Sequence, residues 1–377
     1  MKILYIFRSL AIWGGIERVL VDKMNWLVSK TDTDVYMLTT DQGEHSIPYN
    51  LDKRVHLEDL NINFHKRYQY NIFRRFVITI LMHQKYKRLL SDCFLQIQPD
   101  IIICTTSDKI GVITELKGRI PLIVESHSIC NRTIVHGKNA LFRKYHRYIF
   151  LKYLLKADCL VSLTEGDAVE WRGYHGNVKV IPNMLHPYKI EPSSLLSKRI
   201  IWVGRYDYQK RVEVAICLWK FVVQKHPDWC LDIYGEGEMA SEIQSLASKV
   251  TNIYLHKPTE HIFECYNESS ILISTSLFEP FGLVMIEAMS CGLPVVAFDC
   301  PYGPSDIITD GVNGFLVPYD NMQTYAEKLC MLMEDDSLRK RMGNAAYVTS
   351  KRFEADCIMP KWKVLFDELT KKYKYYL

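Results

Sequence analysis

The segment 271–299 joins two short apolar runs through a loop and a helical pattern. Ile271–Ser274 and Pro294–Phe298 have the composition of buried strands, and the loop and helix between them contain Glu279 and Glu287. Strand, loop, helix and strand together form the βαβ unit of a parallel sheet that helices cover on both faces. A chain that contains this unit is therefore expected to be an α/β protein.

Two carboxylates flank the start of the predicted helix, Glu279 in the loop and Glu287 on the helix. The amide groups of the helix N-terminus lie between them and can hold an anion. Because carboxylates accept hydrogen bonds from hydroxyl groups, the segment suits a ligand with sugar hydroxyls and phosphate. Two other interpretations are open. Glu279 can be a loop or capping acid and Glu287 a solvated helix acid, or the two can be the acid and nucleophile of a glycosidase.

The alternation of apolar runs and helical patterns continues through all 377 residues, which suffice for two domains. The polar segment 182–197 contains spaced prolines, which interrupt helices and strands and therefore indicate a linker. We therefore predict two doubly wound, Rossmann-like domains that face a central cleft, an N-terminal one over 1–183 and a C-terminal one over 184–358. A last helix, Met359–Leu377, follows the second domain.

The predicted elements follow the hydrophobic pattern. The strands are Lys2–Phe7, Asp34–Thr39, Val55–Leu57, Ile101–Cys104, Leu122–Glu125, Cys159–Leu163, Val178–Ile181, Ile200–Val203, Cys230–Tyr234, Ile253–His256, Ile271–Ser274, Pro294–Phe298 and Gly314–Val317. The helices cover Ile16–Ser29, 66–95, 139–156, Val212–Lys225, Met239–Ser248 and the segment from Met322 onward.

Eleven cysteines are scattered singly without a C-x-x-C pair, which argues against a disulfide framework or a structural zinc site and for a reducing cytosol. Met1 leads directly into the first predicted strand, which is too short for a signal peptide core. The apolar run Phe76–Met82 is far shorter than a bilayer span. We expect a cytoplasmic protein that does not cross the membrane.

Positive charge is concentrated in residues 61–156, whose net charge is +12 although the whole chain carries only +4. Within it, the stretches 65–90 and 138–156 contain no acidic residue and interleave bases with aromatic residues. This pattern suits the surface of an anionic membrane, so we predict peripheral contact with the inner face of the cell membrane. Solvated helix faces are the alternative, and nucleic acid is disfavoured because no recognised binding module is present.

Three further motifs follow predicted strands, where ligands of parallel sheets bind. Gly14-Gly15 precedes a helix and suits close approach of an anion, although an ordinary turn fits too. The full G-x-G-x-x-G fingerprint of dehydrogenases is absent.

Arg205 and Lys210 lie in one loop and can converge on a diphosphate, or be two solvated charges. His127 follows a strand and is either a cleft or a structural histidine, with Glu125 and Ser126 as alternatives at this strand end.

Together these motifs resemble the retaining glycosyltransferases of family 4, which have the GT-B fold. The matching segments are Gly14–Leu20, VGRYDYQK at 203–210, EPFGLVMIE at 279–287 and GVNGFLVP at 311–318. Residues 300–306 depart from the Gly-Gly and Pro-Glu pattern of many members and are similar to members that build cell-surface polysaccharides.

The resemblance implies a role for each candidate site residue. Glu279 contacts donor-sugar hydroxyls, Glu287 binds the nucleotide ribose, and the last helix crosses back onto the first domain. The remaining matches are Arg205 and Lys210 at the diphosphate, the backbone of Phe281, Gly282, Leu283 and Val284 at phosphate and sugar, Gly14 and Gly15 at the donor, and His127 as the cleft histidine.

The implied activity is retaining transfer of a hexose from a nucleotide sugar, expected to be a UDP-sugar, to a glycan or lipid-linked glycan in surface polysaccharide synthesis. The nucleotide sugar is a co-substrate, and no cofactor or metal ion is expected. Two alternatives are a sugar-nucleotide epimerase or phosphorylase of the same fold and a non-catalytic sugar-binding protein. Cleavage of donor without acceptor would identify the epimerase type, whereas a sugar-binding protein would normally be exported.

Overall fold

The structure, a computed structural model, divides into two compact units. The first holds Met1–Leu163, Ala168–Ile181 and Met359–Leu377, and the second holds Thr164–Asp167 and Pro182–Ile358. The break after Ile181 falls in the polar, proline-containing segment from which the linker is predicted, and the described residues of that segment form no helix or strand. The structure describes residues 1–106, 108–134, 140–188 and 191–374.

The described strands of the first unit form a fully parallel sheet. In chain order they are β1 Lys2–Phe7, β2 Asp34–Thr39, β3 His56–Asp59, β4 Ile101–Thr105, β5 Leu122–Glu125, β6 Cys159–Ser162 and β7 Val178–Val180. Their spatial order is β3-β2-β1-β4-β5-β6-β7, so the direction of winding reverses between β1 and β4. Such a reversal defines the topological switch point of a doubly wound sheet.

The second unit repeats this topology with one strand fewer among its described residues. The strands are β8 Arg199–Val203, β9 Cys230–Tyr234, β10 Ile253–His256, β11 Ile271–Ser274, β12 Val295–Phe298 and β13 Gly314–Val317. They lie in the order β10-β9-β8-β11-β12-β13, and the described pairings are all parallel. The predicted pair of Rossmann-like α/β domains is thereby confirmed.

Helices cover both sheets, and most of the predicted ones begin and end within a few residues of their predicted bounds. In the first half they are α1 Gly15–Lys30, α2 Ile72–Ile97, α3 Ile110–Leu116, α4 Cys130–Ile134, α5 Ala140–Leu154 and α6 Glu165–Arg172. In the second half they are α7 Val212–Lys225, α8 Ala240–Ala247, α9 Ile262–Asn267, α10 Leu283–Ser290, α11 Gly303–Ile307, α12 Met322–Glu334, α13 Asp336–Ser350 and α14 Ala355–Lys374.

Each unit has its own hydrophobic core between sheet and helices. In the first, Ile102 and Cys104 of β4 pack with Tyr86 of α2 and Trp171 of α6. In the second, Trp202, Trp219 and Tyr325 belong to one buried cluster. The central strands are apolar throughout because helices cover both of their faces, which explains why the hydrophobic pattern predicted them accurately.

Two predicted helices differ from the structure. The helix predicted over 66–95 is divided into a 3₁₀ turn, Phe64–Gln69, and α2, because Asn71 caps α2 by accepting a hydrogen bond from the Arg74 amide at 3.0 Å. The last helix begins at Ala355 instead of Met359 and contains Pro360 inside it. Residues 375–377 lie outside the described part of the chain.

None of the helices within the described ranges has the length and apolar composition needed to span a membrane.

Candidate functional site

The main candidate site lies at the switch point of the second sheet. Strands β8 and β11 are neighbours there, although β9 and β10 lie between them in the sequence. The loop after β8 contains Arg205 and Lys210, and the loop after β11 contains Glu279. Because both loops leave the carboxyl ends of adjacent parallel strands, the fold brings them together at the edge where such sheets bind ligands.

Hydrogen bonds fasten these two loops to each other. The hydroxyl of Thr275, which is fully buried, donates to the backbone carbonyls of Lys210 at 3.1 Å and Arg211 at 2.9 Å. The Leu277 amide also donates to the Gln209 carbonyl at 2.8 Å. The backbone next to Lys210 and Glu279 is therefore held in one geometry, which is a requirement for a preorganised site.

Lys210 and Glu279 form an ion pair between the loops, with 2.6 Å between Nζ and Oε2. The hydroxyl of Ser276 donates to the same carboxylate oxygen at 3.1 Å. The side chains of Lys210 and Glu279 are only 18% and 9% exposed, so the pair is partly shielded from water. Both residues line a pocket whose wall also includes Trp202, Ser274, Gly282, Val284 and Met285.

Arg205 lies in the same loop as Lys210 but has a different partner. Its Nη2 is 2.8 Å from Oδ2 of Asp207, and its side chain is 70% exposed. Asp207 also accepts a hydrogen bond from the Lys210 amide at 3.0 Å, so it links the two basic residues through the backbone. Convergence of both cations on one diphosphate stays a prediction.

The helix start between the two glutamates is formed as predicted. Gly282 precedes α10 with a φ of +110°, a conformation that glycine adopts without the steric cost of a side chain. Phe281 is buried, and α10 begins at Leu283, with Val284 in its first turn. Amides in the first turn of a helix have no acceptor within it, which makes this end suitable for an anion.

Glu287 is buried on α10, one turn further along the helix. The hydroxyl of Tyr266 on α9 donates to Oε2 of Glu287 at 3.2 Å. A buried carboxylate is costly unless hydrogen bonds stabilise it, so the Tyr266 bond fixes the carboxylate in the folded protein. The solvated-acid interpretation of Glu287 is wrong because the side chain is shielded from water.

We expect Glu287→Gln to weaken binding of a uridine nucleotide by about tenfold or more, because hydrogen bonds to a charged acceptor contribute about 1.5–3 kcal/mol. Titration calorimetry with UDP measures this. Glu242→Gln is the matched control, since Glu242 is exposed on α8 of the same unit. An unchanged affinity of Glu287→Gln in a correctly folded protein would contradict the assignment to ribose.

In the first unit, Gly14 and Gly15 lie where β1 leads into α1. Gly14 is the N-cap residue and accepts a hydrogen bond from the Tyr49 hydroxyl at 3.0 Å. A Cβ atom at Gly14 would lie 2.0 Å from Oε2 of Glu17, so the glycine permits the protein's own carboxylate to approach the helix start. This contact gives Gly14 a local structural purpose, and binding of a donor anion there stays a prediction.

His127 belongs to a buried charged group at the end of β5. Its Nε2 lies 3.1 Å from Oε2 of Glu125, and Oε1 of Glu125 lies 2.5 Å from Nζ of Lys23 on α1. Burial raises the pKa of Glu125, but the charge of Lys23 and the bond to His127 lower it more strongly, to about 2. Since Glu125 is ionised, the ring nitrogen that faces it carries the proton. The Ser126 hydroxyl donates to the Ser128 carbonyl at 2.7 Å.

Comparison with known protein families matches both units. The model of Glycosyltransferase Family 4 matches residues 13–187, and that of Glycosyl transferases group 1 matches residues 189–349. The two matches are separated by one residue and together cover most of the chain. The chain belongs to glycosyltransferase family 4.

Individual relatives match this glycosyltransferase over different lengths. The amylovoran biosynthesis glycosyltransferase AmsD of Erwinia amylovora is 26% identical over 96% of this chain and 98% of its own. The exopolysaccharide phosphotransferase SCO2592 of Streptomyces coelicolor is 36% identical over 51% of this chain, which spans only 21% of that relative. A crystal structure of a TarM mutant from S. aureus, in complex with Fondaparinux, alpha-GlcNAc-glycerol and UDP, has a TM-score of 0.76 at 18% identity, covering 97% of this chain and 99% of that one. These similarities support the GT-B fold.

Several residues of the family 4 protein that support the site have no signal in its sequence. Lys23 lies at a helical position that suits a solvated charge, yet it is buried against Glu125 and its Nζ lies 3.6 Å from the ring centroid of Trp362. Tyr266 is an ordinary position of the short helix α9, and Thr275 is the first residue after β11. Ser276 offers a faint signal, since it lies three residues before Glu279.

Potential metal ligands lie elsewhere in the glycosyltransferase. Among the described residues, His226, Cys330 and Glu334 form a group whose ligand atoms lie within 4.8 Å of one another, and none of the three lines the Lys210–Glu279 pocket. The sequence also contains one Asp-x-Asp triplet, Asp32 to Asp34. It lies at the start of β2, the opposite end of the strand from the edge where ligands bind.

Proposed function

We propose that this protein transfers a hexose from a UDP-sugar to a glycan or lipid-linked glycan, with retention of anomeric configuration, in the synthesis of a surface polysaccharide. The observation that carries the proposal is the ion pair of Lys210 and Glu279, which lie in two hydrogen-bonded loops at the switch point of the second sheet. The buried Glu287 lies on α10, the helix that begins shortly after Glu279 in the sequence. A cation, two carboxylates and a helix N-terminus match the parts of a sugar nucleotide.

Each part of the donor has a chemically suitable partner in this proposal. Glu287 accepts hydrogen bonds from the ribose hydroxyls, and the first-turn amides of α10 hold a phosphate. Glu279 accepts from hydroxyls of the sugar, and Lys210 supplies positive charge to the diphosphate, with Arg205 as a second cation. Donor binding then replaces the Lys210–Glu279 ion pair with contacts of both side chains to the ligand.

The reaction follows from these contacts as a front-face substitution. The bond between the anomeric carbon and the terminal phosphate oxygen breaks, and the acceptor hydroxyl oxygen bonds to the same face of that carbon. The acceptor's proton passes to the departing phosphate oxygen, so UDP leaves as the second product. The protein contributes positioning and electrostatic stabilisation of the leaving diphosphate.

The UDP in the TarM structure and the polysaccharide named for AmsD support the proposed donor and product class. The direct test is transfer from a labelled UDP-sugar to a lipid-linked glycan, followed by NMR assignment of the anomeric configuration of the product. An α-linked product from an α-linked donor is expected. An inverted product would contradict retention, and hydrolysis or epimerisation of the donor without an acceptor would contradict transfer.

We propose that the reaction needs no metal ion, because Lys210 and Arg205 provide the charge that would otherwise come from a metal. The enzyme is expected to keep its full turnover in EDTA, measured with donor and acceptor after dialysis against the chelator. A control sample receives EDTA saturated with Mg²⁺, which separates chelation from ionic strength. Loss of activity that added Mg²⁺ or Mn²⁺ restores would contradict this part of the proposal.

A peripheral position on the inner face of an anionic membrane would give the enzyme access to a lipid-linked acceptor. Its support is the basic and aromatic composition of 65–90 and 138–156.

A further inference from the structure

The N-terminal part of α2 projects from the first unit with its apolar residues uncovered. The helix has 26 residues, and its buried side chains, Tyr86, Leu90, Cys93, Phe94 and Ile97, all lie in its C-terminal half. The preceding part, 72–85, extends roughly 20 Å at 1.5 Å per residue and contains no buried side chain. Met82 packs against the core from this part of the helix, so the residues before it have few contacts with the unit.

Six apolar residues of this projecting part form a stripe along the helix. They recur in pairs at intervals of four, and all are exposed: Ile72, Phe73, Phe76, Val77, Ile80 and Leu81. Phe73 and Ile72 are 87% and 82% exposed. At about 100° per residue the stripe occupies roughly half of the helix circumference. Ile72 and Phe76 lie at the same angles as Leu90 and Phe94, which pack on the core five turns later, and the other four residues are turned away from that face. Exposed apolar surface of this size on a soluble protein marks an interaction site.

The charges beside the stripe specify the kind of partner. Arg74 and Lys85 lie along one edge of it and Arg75 lies on the far side, all of them exposed. No acidic residue occurs between Asp59 and Asp92. The preceding 3₁₀ turn adds Tyr68, whose ring lies 4.9 Å from the Arg67 guanidinium and 4.2 Å from that of Arg75. Apolar side chains bordered by bases and tyrosine match the boundary between acyl chains and anionic headgroups.

We infer that the stripe of α2 inserts into the acyl region of an anionic bilayer, with the bases at headgroup level. This inference rests on the proposed function, in which the enzyme has a peripheral position on the membrane. It adds that the protein is held there by insertion of apolar side chains and not by charge alone. A basic surface alone would adsorb electrostatically and dissociate in salt, whereas an inserted apolar stripe retains binding after the charges are screened. A protein partner is less favoured because the uniform positive charge suits an extended anionic surface.

The test is flotation of the full chain with vesicles of equal parts phosphatidylcholine and phosphatidylglycerol, at low salt and at about 1 M NaCl, where the Debye length is about 3 Å. We expect the wild type to remain bound at both salt concentrations. The double variant Phe73→Ser and Phe76→Ser is expected to lose binding by about tenfold or more, since it removes two large inserting side chains. Phe221→Ser is the matched control, because Phe221 is 64% exposed on α7 and Phe76 is 69% exposed.

Fluorescence reports insertion directly. Phe76→Trp is expected to shift its emission to the blue with vesicles and to be quenched by brominated acyl chains, whereas Phe221→Trp should show neither change. Complete dissociation of the wild type in salt would overturn the inference, and so would unchanged binding of the Phe73 and Phe76 double variant. It would also be overturned if the wild type bound no lipid and formed a dimer that the double variant could not form.

UDP binding by the same variants, measured without vesicles, separates this inference from the proposed function. Retained UDP binding in the serine variants is expected, since α2 belongs to the first unit and the candidate donor site to the second. If the wild type bound lipid but no sugar nucleotide, the proposed donor would be wrong and the membrane insertion would stand.

Discussion

Lys210→Ala is expected to lower kcat by about two to three orders of magnitude, the usual loss when one preorganised group that stabilises developing charge is removed. Lys210 is the cation nearest to Glu279, held there by the bonds of Thr275 to the neighbouring backbone. The charge on the leaving diphosphate grows as its bond to the sugar breaks, so the loss falls on the transition state. Acceptor binding should change far less than turnover.

Steady-state kinetics with varied acceptor measure the two effects separately. Lys220→Ala is the matched control, since Lys220 is exposed on α7, the helix that follows the loop of Lys210, and should leave kcat unchanged. Lys210→Arg keeps the charge with a different shape and is expected to recover only part of the activity. An equal loss in turnover and acceptor affinity would contradict the assignment of Lys210 to the leaving group.

Lys23→Met is expected to reduce the free energy of unfolding by about 3–5 kcal/mol, because it leaves the buried Glu125 carboxylate without its cation. The side chains of Lys23 and Glu125 are 3% and 2% exposed, so water cannot replace the lost partner. The change also removes the contact of Lys23 with Trp362, which helps to hold α14 on the first unit. Denaturant titration measures the effect.

Two comparisons identify the ion pair as the cause. Lys30→Met, at an exposed position of the same helix, should change stability by less than about 1 kcal/mol. The double variant Lys23→Met and Glu125→Gln should be more stable than the sum of the single changes predicts, because neither charge is then left alone. Strict additivity of the two single effects would show that the pair has no coupling energy.

The pH dependence of stability follows from the same pair. The folded-state pKa of Glu125 lies near 2, below its ordinary value of 4.5. The stabilisation that this carboxylate provides is therefore complete above about pH 4.5 and is lost as the pH falls toward 2. In Lys23→Met the carboxylate loses the charge of Lys23 and keeps the bond to His127, so its pKa should be higher than in the wild type. The stability deficit relative to wild type should therefore shrink as the pH falls.

Much of the fold could be predicted from the sequence because its strands are short apolar runs covered on both faces. Strands such as Asp34–Thr39 and Cys230–Tyr234 match the prediction at both ends. The short helices α3, α4, α6, α9 and α11 were missed, since helices of five to eight residues show only one to about two turns of their period. Pro360 obscured the start of the last helix, because a proline inside a helix is indistinguishable from a boundary in sequence.

The proximity of three parts of the candidate site could be predicted from the sequence, and their direct contacts could not. Glu279, Lys210 and the helix start after Gly282 lie together because β8 and β11 are neighbours at the switch point, a consequence of topology. The direct ion pair across 69 positions, by contrast, leaves no periodic trace in the sequence. The same holds for Lys23 and Glu125, whose side chains meet between α1 and β5.

The central claim is that the second unit holds a uridine nucleotide sugar through Glu287, the start of α10 and Lys210. Its most direct test is a thermal-shift screen of the full chain with UDP-, GDP- and ADP-sugars, repeated on Glu287→Gln. A ligand that binds the folded state raises Tm, and at a fixed ligand concentration tighter binding gives a larger shift. UDP-sugars should raise Tm in the wild type and much less in Glu287→Gln. No shift with any nucleotide sugar, or an equal shift in both proteins, would contradict the account.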